Sequence, residues 1–95
     1  MRAARIVAAG PLLRLQRRDN GLGHPRVGIT VAARLGGAVQ RNRLRRRLRA
    51  IAAERLDRLA SWDLVVIATP AAAAAGPDRL GRALDEVLRG WGAAP

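Results

Sequence analysis

The chain has 95 residues, a length that allows one small domain with a thin core, and it contains no cysteine, phenylalanine or tyrosine. Its formal net charge of +11 comes from 18 basic residues, all of them arginine, against seven acids. The absence of cysteine excludes disulfide bonds and thiolate metal sites, and no apolar run approaches the roughly 20 residues of a membrane-spanning helix.

The positive charge is divided unevenly along the chain. Residues 1–49 carry 13 arginines against one acid, Asp19, whereas residues 50–95 carry five arginines against six acids. A charge that served only solubility would be spread more evenly, so this division predicts a polyanionic partner for the first half. The lack of cysteine also favours a reducing, cytoplasmic location.

Three short strands are predicted in the first third of the chain. Residues 5–9 form a weak candidate, and residues 12–18 and 26–33 each alternate between apolar and polar side chains. The apolar positions of the two alternating strands are Leu13, Leu15, Val27, Ile29 and Val31. We expect these two strands to pair as an antiparallel hairpin across the turn-rich loop 19–25.

A long helix is predicted from Ala38 to Ala60, after the pair Gly36-Gly37 ends the third strand. On a helical wheel one stripe is apolar and is expected to face the core. The residues of this stripe are Leu44, Leu48, Ile51, Ala52 and Leu59. The arginines cover the remaining surface, with Arg41, Arg45 and Arg49 along one edge and Arg43, Arg46 and Arg47 on the outer face.

The second half predicts one strand and one further helix. Residues 61–63 are interpreted as a turn in which Asp63 serves as a turn or capping residue. Residues 64–68 are continuously apolar, as in a buried central strand, and residues 71–76 are interpreted as a loop. A helix starting at Pro77-Asp78 has the apolar positions Leu80, Leu84, Val87, Leu88 and Trp91. Trp62 and Trp91 are both expected to pack in the core.

The resulting order, β-β-β-α-β-α with a βαβ unit in the second half, predicts an α+β fold. A small sheet is expected to pack against helices, and we interpret residues 1–95 as a single domain.

The segment from residue 41 to residue 49 carries the strongest functional signal. Six of its nine residues are arginine and none is acidic. Like charges four residues apart on a helix repel by a few tenths of a kcal/mol, so phosphates would relieve this surface, and the guanidinium fork suits them. Asn42 adds a side chain that could reach a sugar hydroxyl or a base edge.

Two other interpretations of this segment are weaker. A solvated face biased toward arginine by codon usage does not account for the missing acids, and a membrane-surface helix would need interfacial aromatic residues. We therefore predict nucleic-acid binding.

Several motifs resemble one known family. The strand segment Arg26-Val27-Gly28-Ile29-Thr30-Val31 is followed by Gly36, Ala38-Val39 and Arg41-Asn42-Arg43-Leu44-Arg45-Arg46. Together these residues resemble the signature of the bacterial ribonuclease P protein subunit. The segment Trp62-Asp63-Leu64-Val65-Val66-Ile67-Ala68 is similar to a later strand of that family, and the resemblance covers about residues 11–90. It implies a left-handed crossover through the arginine helix, whereas the general rule for parallel strands favours right-handed crossovers.

The resemblance also implies a function. The family member is a protein cofactor of a catalytic RNA, and together they form an endoribonuclease that removes the 5′ leader from precursor tRNA. Catalysis and Mg²⁺ then belong to the RNA, so neither a catalytic residue, a metal site nor a cofactor is expected in the protein alone. The expected partners are the catalytic RNA and precursor tRNA, with no membrane and no required protein partner. Expected RNA contacts are Arg41, Asn42, Arg43, Arg45, Arg46 and Arg49, joined by Arg34 and Thr30.

The sequence departs from the family at its start. Family members begin with a basic, aromatic helix, and the cleft between that helix and the sheet holds the 5′ leader. This sequence begins near the first strand and has no phenylalanine or tyrosine for that cleft. A start codon assigned too late and a natural minimal form would both explain the difference.

Two other function classes share the basic helix. One is a structural RNA-binding protein such as a ribosomal component, and the other is a DNA-binding regulator. The second is disfavoured because the sequence has no recognisable helix-turn-helix.

Overall fold

The structure is a computed structural model that describes residues 5–92. In chain order it contains β1 (Ile6–Ala9), β2 (Leu13–Asp19), β3 (Arg26–Thr30), α1 (Ala38–Ala53), β4 (Trp62–Ala68) and α2 (Pro77–Gly90). The predicted order of elements and the α+β class are confirmed. No helix within residues 5–92 is long and apolar enough to cross a membrane.

The four strands form one sheet in the order β1-β2-β4-β3. β1 pairs with β2 and β2 with β4 in antiparallel fashion, whereas β3 runs parallel to β4. The predicted hairpin of the second and third strands is therefore wrong, because β4 lies between them. Loop 20–25 instead crosses the start of β4, where the Asn20 amide donates to the Ser61 carbonyl at 2.8 Å and the Gly23 amide to Ser61 Oγ at 3.0 Å.

The interior position of β4 agrees with its composition, because a continuously apolar run is typical of a strand that is covered on both faces. Its residues Trp62, Leu64, Val66 and Ala68 are buried, and Val65 and Ile67 on the other face are half-buried. β2, which is also an interior strand, and β3 at the edge alternate instead, with one buried and one more exposed face. The predicted buried central strand is confirmed.

Both helices pack on the same face of the sheet and share one hydrophobic core with it. From the strands this core takes Leu13, Leu15, Leu64 and Val66, and α1 and α2 add Leu44, Leu48, Ile51, Leu80, Leu84 and Leu88. The predicted apolar stripe of the arginine helix is therefore confirmed. Leu59, placed on that stripe by the sequence, is buried as well, although it lies beyond the end of α1.

Helix α1 ends at Ala53, seven residues before its predicted end. The Arg55 amide donates to the Ala52 carbonyl, and the Arg55 guanidinium folds back to donate to the Ile51 carbonyl at 2.8 Å. These bonds satisfy carbonyls of the last helical turn, and a 3-10 turn, Leu56–Arg58, follows. The third strand is also shorter than predicted, because the chain turns into a 3-10 helix at Ala33–Leu35.

The alanine-rich segment after β4 was expected to be a loop, but it forms a 3-10 helix, Pro70–Ala74. Ala72 and Ala75 are fully buried there, so their small side chains let this segment pack closely against the core.

Trp62 and Trp91 meet edge to face with ring centroids 6.0 Å apart. The Arg17 guanidinium lies over both rings, at 4.3 Å from the centroid of Trp62 and 5.0 Å from that of Trp91. Trp62 is buried and Trp91 half-buried, as expected of packing residues.

Candidate nucleic-acid interface

The solvent side of α1 presents most of the predicted arginines together, and we call this side the arginine face. Arg43, Arg46 and Arg49 are exposed, whereas Arg41 and Arg45 are half-buried. No acidic residue lies in the first turn of the helix. The exposed guanidinium groups therefore have no carboxylate on their own helix that could neutralise them between Ala38 and Ala53.

Glycines shape the start of the arginine face. Gly36 has a φ of +132°, a region that L side chains rarely adopt, and a Cβ there would lie 3.0 Å from Gln40 Oε1. That oxygen accepts a 2.6 Å hydrogen bond from the Gly37 amide, which satisfies one of the free amides at the helix start. The tight turn directs the chain from the sheet edge into α1. The positive end of the helix dipole then adds to the charge of the first arginines.

Asn42 and Arg45 are coupled on the arginine face. Arg45 Nη1 donates to Asn42 Oδ1 at 2.8 Å, so the guanidinium is held along the helix rather than free in solvent. The bond occupies the Asn42 carbonyl oxygen and leaves its NH₂ group available as a donor. Arg41 lacks such a bond, because its Nε is buried and has no hydrogen-bond partner among the described residues.

Arg47 does not belong to the outer face that the sequence predicted. Its Nη1 donates to the Ala75 carbonyl at 3.1 Å, and the residue is half-buried. This bond joins α1 to the segment that follows β4. The wheel could not show it, because the neighbour of this side chain is 28 residues away in sequence.

Thr30 and Arg34 are placed apart from the arginine face. Both are exposed, but Thr30 ends β3 on the sheet face opposite the helices, and Arg34 lies in the turn Ala33–Leu35 that leads to α1. The structure thus brings the predicted α1 residues together and leaves Thr30 on a different surface. Arg34 lies in the connection between β3 and α1.

The side of the sheet opposite the helices forms a second basic surface, which we call the open sheet face. In the register of the strands, three rows cross it. The rows are Arg26, Asp63 and Arg18; Gly28, Val65 and Gln16; and Thr30, Ile67 and Arg14. Sequence patterns did not predict this surface, because its residues come together only when β4 lies between β2 and β3.

The open sheet face combines an apolar centre with a basic rim. Val65 and Ile67 are half-buried, whereas Arg14, Arg18 and Arg26 are exposed. Gly28 lies in the middle of β3 with nothing within 4 Å of the position a Cβ would take, so it leaves a shallow gap beside Val65. Such a surface suits an extended, negatively charged chain whose charges lie over the basic rim and whose planar groups lie over the apolar centre.

Asp63 lies at one end of this face and was wrongly interpreted as a turn residue. It is inside β4, and its carboxylate accepts two hydrogen bonds from Arg26, at 2.7 Å from Nε and 2.8 Å from Nη2. Asn20 Nδ2 donates to the same carboxylate at 3.1 Å and Arg18 Nη2 at 3.5 Å. The hydrogen bonds from Arg26, followed by that from Asn20, hold the pKa of Asp63 well below its ordinary value.

A second carboxylate fixes the segment that follows α1 against α2. Asp85 accepts bonds from Arg55 Nε at 2.6 Å, Arg55 Nη2 at 3.1 Å and Arg58 Nη1 at 2.6 Å. The Arg55 hydrogen bonds, with a further contribution from Arg58, lower the pKa of Asp85 to about 2. A Cβ on Gly81 would lie 3.0 Å from Arg55 Nη2, so glycine leaves the space that this clamp needs.

Within residues 5–92 no group of three or more histidine, cysteine, aspartate or glutamate side chains is arranged to hold a metal ion. The two carboxylates with several partners, Asp63 and Asp85, are bound by arginines instead.

Comparisons with known proteins agree on one family. The sequence model of the family Ribonuclease P matches residues 2–91. The ribonuclease P protein component of Acidothermus cellulolyticus is 41% identical over 88 residues, which are 92% of this chain and 73% of that protein. The ribonuclease P protein component of Pseudomonas aeruginosa is 48% identical over 52 residues, and the match covers 54% of this chain but 38% of that protein.

Comparison with solved structures points to the same family. The ribonuclease P protein of Staphylococcus aureus, solved at 2.0 Å, superposes with a TM-score of 0.81 at 27% identity, over 90% of this chain and 79% of that chain. None of these similarities favours a ribosomal component.

Proposed function

The chain belongs to the ribonuclease P protein family, and on that premise we propose that it is the protein component of ribonuclease P. In this assembly a catalytic RNA removes the 5′ leader of precursor tRNA, and the protein is a cofactor of that endonuclease. The observation that carries the proposal is the arginine face, where α1 presents exposed arginines without an acid while its other side packs in the core. A cytoplasmic location follows from the proposed substrate, and no second protein is required.

The proposed role of the arginine face is electrostatic. Folded RNA brings phosphates close together, and their repulsion must be offset by cations. Arginines at 43, 46 and 49 can each give two parallel hydrogen bonds to a phosphate, while Asn42 can donate to a sugar or a base. Arg45 is already held by its bond to Asn42, so it loses less side-chain freedom when it binds. The protein would thus replace part of the magnesium that the RNA needs to fold.

The magnesium itself belongs to the RNA in this proposal. In it, the protein contributes positive charge and position, and the RNA supplies the metal ligands. The bond-breaking chemistry is likewise assigned to the RNA.

We assign the 5′ leader of the precursor to the open sheet face. A single-stranded leader has a phosphate at every nucleotide, which matches the basic rim of Arg14, Arg18 and Arg26. The apolar centre with Val65 and Ile67 offers a place for bases beside the gap at Gly28. On this face, bases would stack on arginine planes and pack on aliphatic surface.

The test of the proposal is cleavage of precursor tRNA by the cognate catalytic RNA over a magnesium titration, with and without the protein. We expect the protein to shift the curve so that correct 5′ cleavage occurs at several-fold lower magnesium. A matched control uses the protein with Arg43, Arg46 and Arg49 replaced by glutamine, which should lose most of the shift. Identical curves with and without the wild-type protein would refute the proposal.

A further inference from the structure

The open sheet face contains one feature that works against binding a polyanion. Asp63 is the acidic residue among the three rows of this face, and it lies between Arg18 and Arg26 at one end. A negative charge at this position should repel RNA phosphates, and by charge alone its removal should improve binding. Its contacts indicate the opposite effect.

The carboxylate joins two arginines from strands that do not touch each other. Arg26 comes from β3 and Arg18 from β2, and β4 with Asp63 lies between them. Arg26 is bound bidentately, and Arg18 is at the longer distance of 3.5 Å. A guanidinium has five N–H donors, so both side chains keep donors for a further acceptor after these bonds. The side chain of Asp63 is only 19% exposed, whereas those of Arg18 and Arg26 are 46% and 60% exposed. The acid is therefore largely covered by the cations that it holds.

The same carboxylate also organises the loop that borders the face. Asn20 donates to Asp63 and to the His24 carbonyl, and its own Oδ1 accepts from the Leu22 amide at 2.9 Å. Loop 20–25 is thereby tied down over the start of β4. The loop and the two arginines are thus bound to the same carboxylate.

We infer that Asp63 is a positioning residue for the leader: it presets Arg18 and Arg26 as a two-armed phosphate clamp at one end of the open sheet face. This inference rests on the proposed assignment of that face to the 5′ leader. A long, flexible side chain loses freedom when it binds, and presetting it reduces that loss. The favourable effect of two preset arginines exceeds the repulsion from a carboxylate whose charge they already offset.

The two effects predict opposite signs for Asp63→Asn, a substitution that keeps the shape and removes the charge. Charge alone predicts tighter binding of precursor tRNA. Loss of positioning predicts weaker binding, by about fivefold to tenfold if both arginines lose their fixed geometry. The loss should be confined to the leader, so affinity for mature tRNA should stay the same.

The experiment uses the holoenzyme reconstituted from the protein and its cognate catalytic RNA. The affinities for precursor tRNA with a leader and for mature tRNA are measured for the wild type, Asp63→Asn and Asp19→Asn. Asp19 is a matched control because it is exposed, makes the same charge change and lies on the other face of β2, where it pairs with Trp62. Affinity of each protein for the catalytic RNA alone reports whether the arginine face and the fold are intact.

We expect Asp63→Asn to lower the ratio of precursor to mature affinity about fivefold to tenfold, and Asp19→Asn to leave it unchanged. An unchanged or increased ratio for Asp63→Asn would overturn the inference, even if the protein stimulates cleavage at low magnesium. If the wild-type ratio shows no preference for the leader, the assignment of the open sheet face fails together with this inference. None of these outcomes changes the result of the magnesium titration, which tests the arginine face.

A second variant keeps the inference testable if Asp63→Asn does not fold. Arg26→Gln removes one arm of the clamp and leaves the carboxylate with Arg18 and Asn20. It should lower the ratio about threefold to fivefold. In a folded double variant, Asp63→Asn should add less to Arg26→Gln than it costs alone, because both changes remove the same bidentate pair. Full additivity, or an unchanged ratio for Arg26→Gln, would contradict the clamp.

Discussion

Replacing Arg46 by alanine should remove one phosphate contact from the arginine face and leave the fold intact. Arg46 is exposed and makes no hydrogen bond or ion pair with the residues that the structure describes. Alanine is the best helix former, and the substitution also relieves the repulsion of Arg46 by Arg43 and Arg49, three residues away on either side. The free energy of unfolding should therefore change by less than about 0.5 kcal/mol, and any change should be stabilising.

The size of the binding effect follows from counterion release. Each phosphate neutralised contributes about 0.7 to 0.9 to the slope of log affinity against log salt concentration. Arg46→Ala should flatten that slope by this amount. Between about 50 and 200 mM salt, one contact changes the affinity by about threefold, so the wild type should lose about threefold more affinity over this range than the variant.

Arg47→Ala is the matched control, since it removes the same charge one residue further along α1. Arg47 is half-buried and donates to the Ala75 carbonyl, so its loss should cost about 1 kcal/mol of stability and leave the salt slope unchanged. The assay is binding of the cognate catalytic RNA at five salt concentrations, with thermal unfolding of each protein in parallel. Equal slope changes for the two variants would refute the assignment of the faces.

Two further predictions concern the bonds of Asp85 in α2 to Arg55 and Arg58, which follow α1. Gly81→Ala should destabilise the wild type by about 1 kcal/mol, because the added Cβ would displace Arg55. In an Arg55→Ala variant the same substitution should stabilise by about as much through helix propensity. Urea unfolding of the four proteins measures both effects, and stabilisation in both backgrounds would contradict the role of Arg55. Because the folded pKa of Asp85 is lowered to about 2, its contribution of about 1–2 kcal/mol, reduced by partial exposure, is complete above about pH 4 and lost as the pH falls toward 2. Stability measured from pH 6 to pH 2 should therefore fall less steeply for Asp85→Asn than for the wild type, and parallel curves would show that Asp85 is not the titrating group.

Much of the fold could be predicted from local patterns. The alternation of Leu13 and Leu15 with polar neighbours gave the buried face of β2, and the stripe of Leu44, Leu48 and Ile51 gave the buried side of α1. These patterns depend only on the periods of strand and helix, so they can be read from the chain alone. The order of elements follows from them.

The neighbours of each strand could not be predicted in the same way. Alternation shows which side chains share a face, but it does not show which strand lies beside β2, and the shortest connection suggested β3. The apolar character of β4 on both faces was the signal for its central position, and it would have separated β2 from β3. Without that order, the open sheet face and the role of Asp63 could not be found.

The candidate site was predicted in part for a related reason. Exposure of Arg43, Arg46 and Arg49 follows from the helical wheel, whereas the bond of Arg47 to Ala75 depends on packing between distant segments. The same holds for Asp63, whose arginine partners are 37 and 45 residues away. The assignment of the α1 residues as RNA contacts remains a prediction.

The decisive comparison is between two triple variants with the same change in net charge. One replaces Arg43, Arg46 and Arg49 on the arginine face by glutamine, and the other replaces the exposed α2 residues Arg79, Arg82 and Arg89. Measured as affinity for the cognate catalytic RNA at one salt concentration, the first should lose about 30-fold or more and the second less than about threefold. Equal losses would mean that the RNA responds to overall charge, and the arginine face would not be its binding site.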